Sequence, residues 1–354
     1  MAAYTTINDP TIYMNPLPYT GTEVTLSITG VGFQPDLVWL KKRGNTSSHF
    51  WTDAVRGVTE TIYSDSDIAE ATESEGLTAF GADGFTLGDD YEINQEDQTQ
   101  MSWNWKMGTT TGIAGSPSIT PASYSFNATA GQSIIKYVGN GTADATIPHG
   151  LSTAPKMVII KNLTTQEGWV VGHEGIRGSG LGWTKIMKLN TTAAEVTSSA
   201  YFGDVAPSAT LVTLGDDGGV NTNTDNYIAY CFSEISGYSK FSSYTGNGSA
   251  DGPFVYTGFR PAFLIYKPVD QVDNWELQDN KRDPFNPMDT LLYPNATNAE
   301  SDPASTTDRL DFLSNGFKMR TASSDYNGSG NDYIYIAFAE APFVNSNGVP
   351  CNAR

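Results

Sequence analysis

Three segments read as uninterrupted apolar runs that open on proline and close on lysine. They are Pro35-Asp36-Leu37-Val38-Trp39-Leu40-Lys41, Pro155-Lys156-Met157-Val158-Ile159-Ile160-Lys161 and Pro261-Ala262-Phe263-Leu264-Ile265-Tyr266-Lys267. A run of this length without polar alternation suits a strand buried on both faces. A proline at its start lacks the N–H needed to extend the pairing backwards. A tryptophan follows each run, at Trp51, Trp169 and Trp275. Further on, Tyr227-Ile228-Ala229-Tyr230-Cys231-Phe232-Ser233-Glu234 matches Tyr333 to Glu340 at a constant offset of 106 positions, and Met101 to Lys106 stands in the corresponding place of the first copy. Each of these closing segments carries one large apolar face at period two, as a core-facing strand requires.

The runs belong to a larger repeat. Tyr19-Thr20-Gly21 recurs as Tyr137-Val138-Gly139-Asn140-Gly141 and as Tyr244-Thr245-Gly246-Asn247-Gly248, so the chain contains three copies of one unit. The expected fold class is all-β, with three tandem β-sandwich repeats of jelly-roll type, each carrying one short helical turn. The expected boundaries are an N-terminal arm at 1–18, repeats at 19–107, 124–238 and 239–344, a flexible linker at 108–123 and a C-terminal tail at 345–354. Asp67-Ile68-Ala69-Glu70, Thr192-Ala193-Ala194-Glu195 and Thr297-Asn298-Ala299-Glu300 have the capping-box pattern and place the helical turns. A unit of this size can hold its own core. The repeats are therefore expected as separate beads, the second and third packed closely through the short join at 237–241 and the first moving more freely. The proline-bearing arm, with Pro10, Pro16 and Pro18, is expected to order against a neighbouring subunit or particle.

Composition narrows the function. The 35 Gly and 18 Pro agree with many short strands and tight turns, and 12% aromatic residues supply core material. A formal net charge of −19, with no basic run to offset it, excludes a general nucleic-acid binder. No apolar stretch is long enough for a membrane helix, and no leader-like segment follows Met1. Two cysteines, Cys231 and Cys351, do not make a disulfide framework.

Candidate chemistry is sparse. His49, His149 and His173 do not occupy matched positions, and no metalloprotease, serine-hydrolase or phosphate-loop motif occurs. The chain reads as a non-enzyme without a cofactor. Leu87-Gly88-Asp89-Asp90 and Leu214-Gly215-Asp216-Asp217 offer the oxygen ligands that calcium prefers, making Asp89, Asp90, Asp216 and Asp217 metal candidates; tight turns use the same residues. Glycan contact needs an aromatic platform beside polar groups. Trp183, in the Gly-rich insertion Gly178-Ser179-Gly180-Leu181-Gly182-Trp183 peculiar to repeat two, is the first candidate, with Trp169 and His173 beside it. The alternative for the repeat-matched tryptophans is a place in the core.

The phrases Thr6-Ile7-Asn8-Asp9-Pro10, Asp279-Asn280-Lys281-Arg282, Leu313-Ser314-Asn315-Gly316-Phe317-Lys318 and Ala337-Phe338-Ala339-Glu340-Ala341-Pro342-Phe343-Val344, together with the Tyr-Thr-Gly-Asn-Gly anchors, resemble a family of marine bacteriophage virion proteins of cyanophage and pelagiphage type. Members are described as tail-fibre-like or as similar to concanavalin-A-like lectins. The first anchor departs from the pattern, with Thr22-Glu23 in place of Asn-Gly. The resemblance implies a virion component assembled in the host cytoplasm: a tail fibre, spike or adaptor meeting host glycans. Its alternatives are a capsid decoration or head-fibre protein and, last, a glycan-cleaving enzyme. Implied partners are other tail or capsid proteins and further copies of the chain, a trimer being the state suggested by analogy with phage appendages.

Overall fold

The computed structural model describes residues 4–176, 183–301 and 309–351. The protein is all-β, built from three sandwiches of one design. In each, a large antiparallel sheet has the same four-strand centre. The anchor strand pairs with the closing strand, the closing strand with the Pro-to-Lys strand, and that with the strand beginning within one residue of the repeat's tryptophan. In repeat one these are Met14–Thr20, Thr99–Trp105, Leu37–Lys42 and Phe50–Asp53. In repeat two they are Gln132–Val138, Asn226–Phe232, Met157–Asn162 and Val170–His173. In repeat three they are Ser239–Thr245, Asp332–Pro342, Phe259–Pro268 and Glu276–Asp279. A small sheet covers one face of each: Leu26–Thr29, Gly84–Leu87 and Leu77–Gly81; then Ala145–Pro148 with Leu211–Leu214; then Phe254–Tyr256, Gly316–Met319 and Leu310–Leu313.

The large sheets are buried on both faces, and alternation along one strand shows why. Val158 and Ile160 face the small sheet of their own repeat, in a core with Ile147, Val212 and Leu214. Met157 and Ile159 face the other way, into a cluster shared by all three repeats. Repeat one supplies Leu37, Trp39, Trp51, Trp103 and Trp105 to that cluster; repeat two supplies Trp169, Tyr230 and Phe232; repeat three supplies Phe263, Trp275 and Phe338. The register matches across copies: Trp105 lies opposite Leu37, Phe232 opposite Met157 and Phe338 opposite Phe263. These six side chains help to enclose a wholly apolar central void of about 30 Å³. Rings meet edge-on across the repeats, Trp105 with Phe338 at 5.8 Å between centroids and Phe232 with Phe338 at 5.9 Å. The sandwiches are thus not beads on a string. They form a single-chain, pseudo-threefold body, and repeat one is held in it as firmly as the others.

Two further expectations are corrected. One α-helical turn does occur per repeat, at Tyr91–Asn94, Ser199–Phe202 and Ser324–Asn327, and repeat two adds a 3-10 turn at Glu174–Ile176. None falls on the capping-box segments, which are extended because their main-chain groups bond across seams. Glu70 N–H donates to Leu163 O at 3.2 Å, Glu195 N–H to Val269 O at 2.8 Å and Glu300 N–H to Arg43 O at 2.8 Å, closing a ring of three. The 108–123 segment is anchored on repeat two: Thr109 exchanges main-chain bonds with Phe126, Ile119 N–H donates to Thr146 O, and Ile119 is buried.

The described part of the arm packs on its own chain. Ile7 is 2% exposed in the shared cluster, Ser236 Oγ donates to Tyr4 O, and Tyr4 Oη donates to Gly258 O.

Candidate functional site

The residues that the sequence nominates for glycan contact are inside the protein. Trp183 is 1% exposed and stands edge-on to Phe202 at 5.2 Å, filling the core of repeat two. The preceding glycines at 178, 180 and 182 lie outside the described residues. Trp169 is fully buried, and its indole Nε1 donates across a seam to Tyr63 O at 2.8 Å and Ser66 O at 3.0 Å. His173 accepts the Gly175 N–H at Nδ1, which leaves Nε2 as the protonated nitrogen facing Tyr335 O at 3.2 Å. Burial lowers its pKa to about 4, so the ring is neutral at pH 7. None of the three offers a surface to a sugar, which corrects that expectation.

Two of the four calcium candidates serve turns. Asp90 accepts the Glu92 N–H and caps the first helical turn, and Asp217 accepts the Gly219 N–H. Among the described residues, no group of three or more His, Cys, Asp or Glu side chains is placed to hold a metal ion. The residues that matter in these loops are asparagines. Asn94, Asn221 and Asn327 are each fully buried. Asn327 Nδ2 donates to Ser249 O and Thr321 O while its Oδ1 accepts the Asn247 N–H. Asn221 does the same with Thr142 O, Gly215 O and the Asn140 N–H. Asn94 bonds Val24 O, Gly88 O and the Thr22 N–H. Each ties the anchor turn of its repeat to the acidic loop. This also explains why the first anchor tolerates Thr22-Glu23, since the bond there is to a main-chain amide.

Buried charge gathers at the seams. Lys41, Lys161 and Lys267, the closing residues of the three runs, are fully buried, and desolvation lowers each to a pKa of about 8. Each donates to a carbonyl of a neighbouring repeat: Lys41 to Thr297 O at 3.3 Å, Lys161 to Asp67 O at 3.2 Å and Lys267 to Thr192 O at 3.1 Å. Arg56 and Arg282 are buried against Asp53 and Asp279, both at 2.5 Å. Those carboxylates also bind neighbouring repeats, Asp53 accepting from Tyr230 Oη at 2.7 Å and Asp279 from Trp103 Nε1 at 3.2 Å. These groups join the repeats and face no cleft. In sequence the lysines mark only the ends of strands, although their recurrence after three two-faced runs is a visible signal.

An exposed aromatic surface lies on the outside of repeat three. A cleft of about 560 Å³ lies between the Pro284-Phe285-Asn286 loop and the turn at Leu313 to Asn315, with Arg260 in its wall. Phe285 is 76% exposed, and Phe254 and Tyr256 stand half-exposed nearby on the edge strand. Among the described residues, no helix is long and apolar enough to cross a membrane.

The chain belongs to the family described as a domain of unknown function (DUF7483), whose profile matches residues 9–342. No curated protein and no solved structure matches it.

Proposed function

We propose that this protein is a non-enzymatic structural component of a bacteriophage virion: a tail fibre, spike or adaptor that contacts the host surface. The observation that carries this reading is the fusion of three sandwiches onto one apolar axis. The chain uses the buried Lys41, Lys161, Lys267, Trp169 and His173 to join repeats, which makes a stiff body. The phrases shared with marine phage proteins support a place on the particle. A pseudo-threefold outline also suits docking onto a trimeric neighbour.

Immunogold electron microscopy of purified particles, with antiserum against the recombinant chain, tests the reading. Gold at the tail or its fibres is the expected result. Gold on the capsid would favour the decoration role, and absence from particles would overturn both. Release of soluble sugar from host envelopes by the pure protein would instead point to a glycan-cleaving enzyme.

A further inference from the structure

We infer that the outer face of the small sheet in repeat three, together with the adjoining cleft, is a binding site for a neutral oligosaccharide. The inference deepens the surface-contact reading and rests on it for the biological source of the sugar.

The starting point is a difference between repeats. Ile28, Ile147 and Val255 are the buried middle residues of the three small-sheet edge strands. The flanking positions are the exposed Ser27 and Thr29 in repeat one, and the half-buried Thr146 and the buried Pro148 in repeat two. In repeat three they are Phe254 and Tyr256, 46% and 51% exposed. Each of the two residues leaves about half of its surface in solvent, where neither other repeat carries an aromatic ring.

The site is built to present those rings. Tyr256 and Leu313 both lie opposite Gly316 in the sheet. With no side chain there, the Phe254 ring reaches over it; a Cβ on Gly316 would stand 3.0 Å from Phe254 Cε2 and 2.0 Å from Val255 O. Tyr256 Oη is held at 2.9 Å from Tyr4 Oη, which in turn donates to Gly258 O, so the ring is fixed before any ligand arrives. Leu313 continues the strip into the 560 Å³ cleft, where Phe285 provides a third ring and Ser314 and Asn315 bring a hydroxyl and an amide. That volume is in the range of small-ligand sites.

Charge selects the ligand class. Three cations of this face are matched among the described residues: Lys318 with Asp251 at 2.6 Å, Arg320 with Asp311, and Arg260 with Glu340 at 2.8 Å. A locally neutral face on a chain of net charge −19 does not attract a phosphate or an acidic polymer. The ion pairs also interrupt the apolar area, unlike the core of a stable protein interface. Preset rings alternating with paired donors and acceptors fit the C–H faces and hydroxyls of uncharged sugars.

Isothermal titration of the full chain with malto-, cello-, chito- and mannohexaose tests this. At least one is expected to bind, and Tyr256→Ala and Phe285→Ala are each expected to weaken it by roughly tenfold, about 1.4 kcal/mol. Tyr91→Ala, on an exposed ring of repeat one, should leave affinity unchanged, and circular dichroism melting checks that all three variants are folded. Failure of all four sugars to bind, or binding that ignores both substitutions, would overturn the site. Either outcome is independent of where gold labels the particle, so the site and the virion reading fail separately.

Discussion

The ammonium group of Lys161 donates to the main-chain carbonyl of Asp67 at 3.2 Å, joining two repeats across 94 positions of sequence. Lys41 and Lys267 make the same stitch at the other two seams. A buried lysine is costly unless its protons are bonded. Three of them placed alike indicate that the seams are specified and not casual contacts.

The lysines predict a pH effect of definite sign. Each is lowered in the folded state from 10.5 to about 8, so between these values the unfolded chain holds more protons. The penalty of burying the charge is fully present below pH 8 and lifts as pH rises toward 10.5. Replacing all three by methionine removes the titration. In urea unfolding, the wild type should therefore gain stability relative to the triple variant between pH 7.5 and 9.5.

His173 acts in the acid range. Its unfolded pKa of about 6.5 exceeds its folded value of about 4, because burial outweighs the opposing bond to Tyr335 O. Its contribution is complete above pH 6.5 and is lost as pH falls toward 4, worth up to about 3 kcal/mol. Unfolding midpoints should drop between pH 7 and pH 4.5, and His173→Gln should reduce that dependence in part, since burial lowers His49 and His149 as well.

Phe338 touches rings of all three repeats, meeting Trp105, Phe232 and Phe263. Phe338→Ala should cost roughly 3–5 kcal/mol. The loss should appear as one shifted transition, with tryptophan fluorescence and far-UV circular dichroism coinciding. Separate transitions for the repeats would contradict a shared core.

Trp183 is a core residue, so Trp183→Ala should also cost roughly 3–5 kcal/mol. Thermal melts of the isolated variant measure this. A melt equal to wild type would mean that the indole does not fill the repeat-two core.

Deleting residues 1–13 removes Ile7 from the shared cluster and Tyr4 from Tyr256. The isolated protein should lose a few kcal/mol, roughly the cost of one buried aliphatic side chain. This loss requires no partner or particle.

The sequence by itself determined the sandwiches. The Pro-to-Lys runs, the closing strands at offset 106 and the Gly-bearing anchors are local patterns of period, turn and pairing, and they fall where the strands are. The same runs already held the clue to assembly. Leu37 to Lys42 is buried at every position, and a two-sheet sandwich covers only one of its faces. Tertiary structure decided what covers the other face, because that needs Phe232 and Phe338 brought to Trp105 over more than a hundred residues, and no local pattern encodes the meeting. It decided in the same way the fate of Asp67, Thr192 and Thr297. Each begins a capping pattern that would start a helix in isolation, but a lysine from another repeat takes its carbonyl and holds the segment extended. It also placed Trp183 inside and Tyr256 outside. An indole in a Gly-rich insertion and a tyrosine on a strand look equally available in sequence, and burial depends on which sheet closes over them.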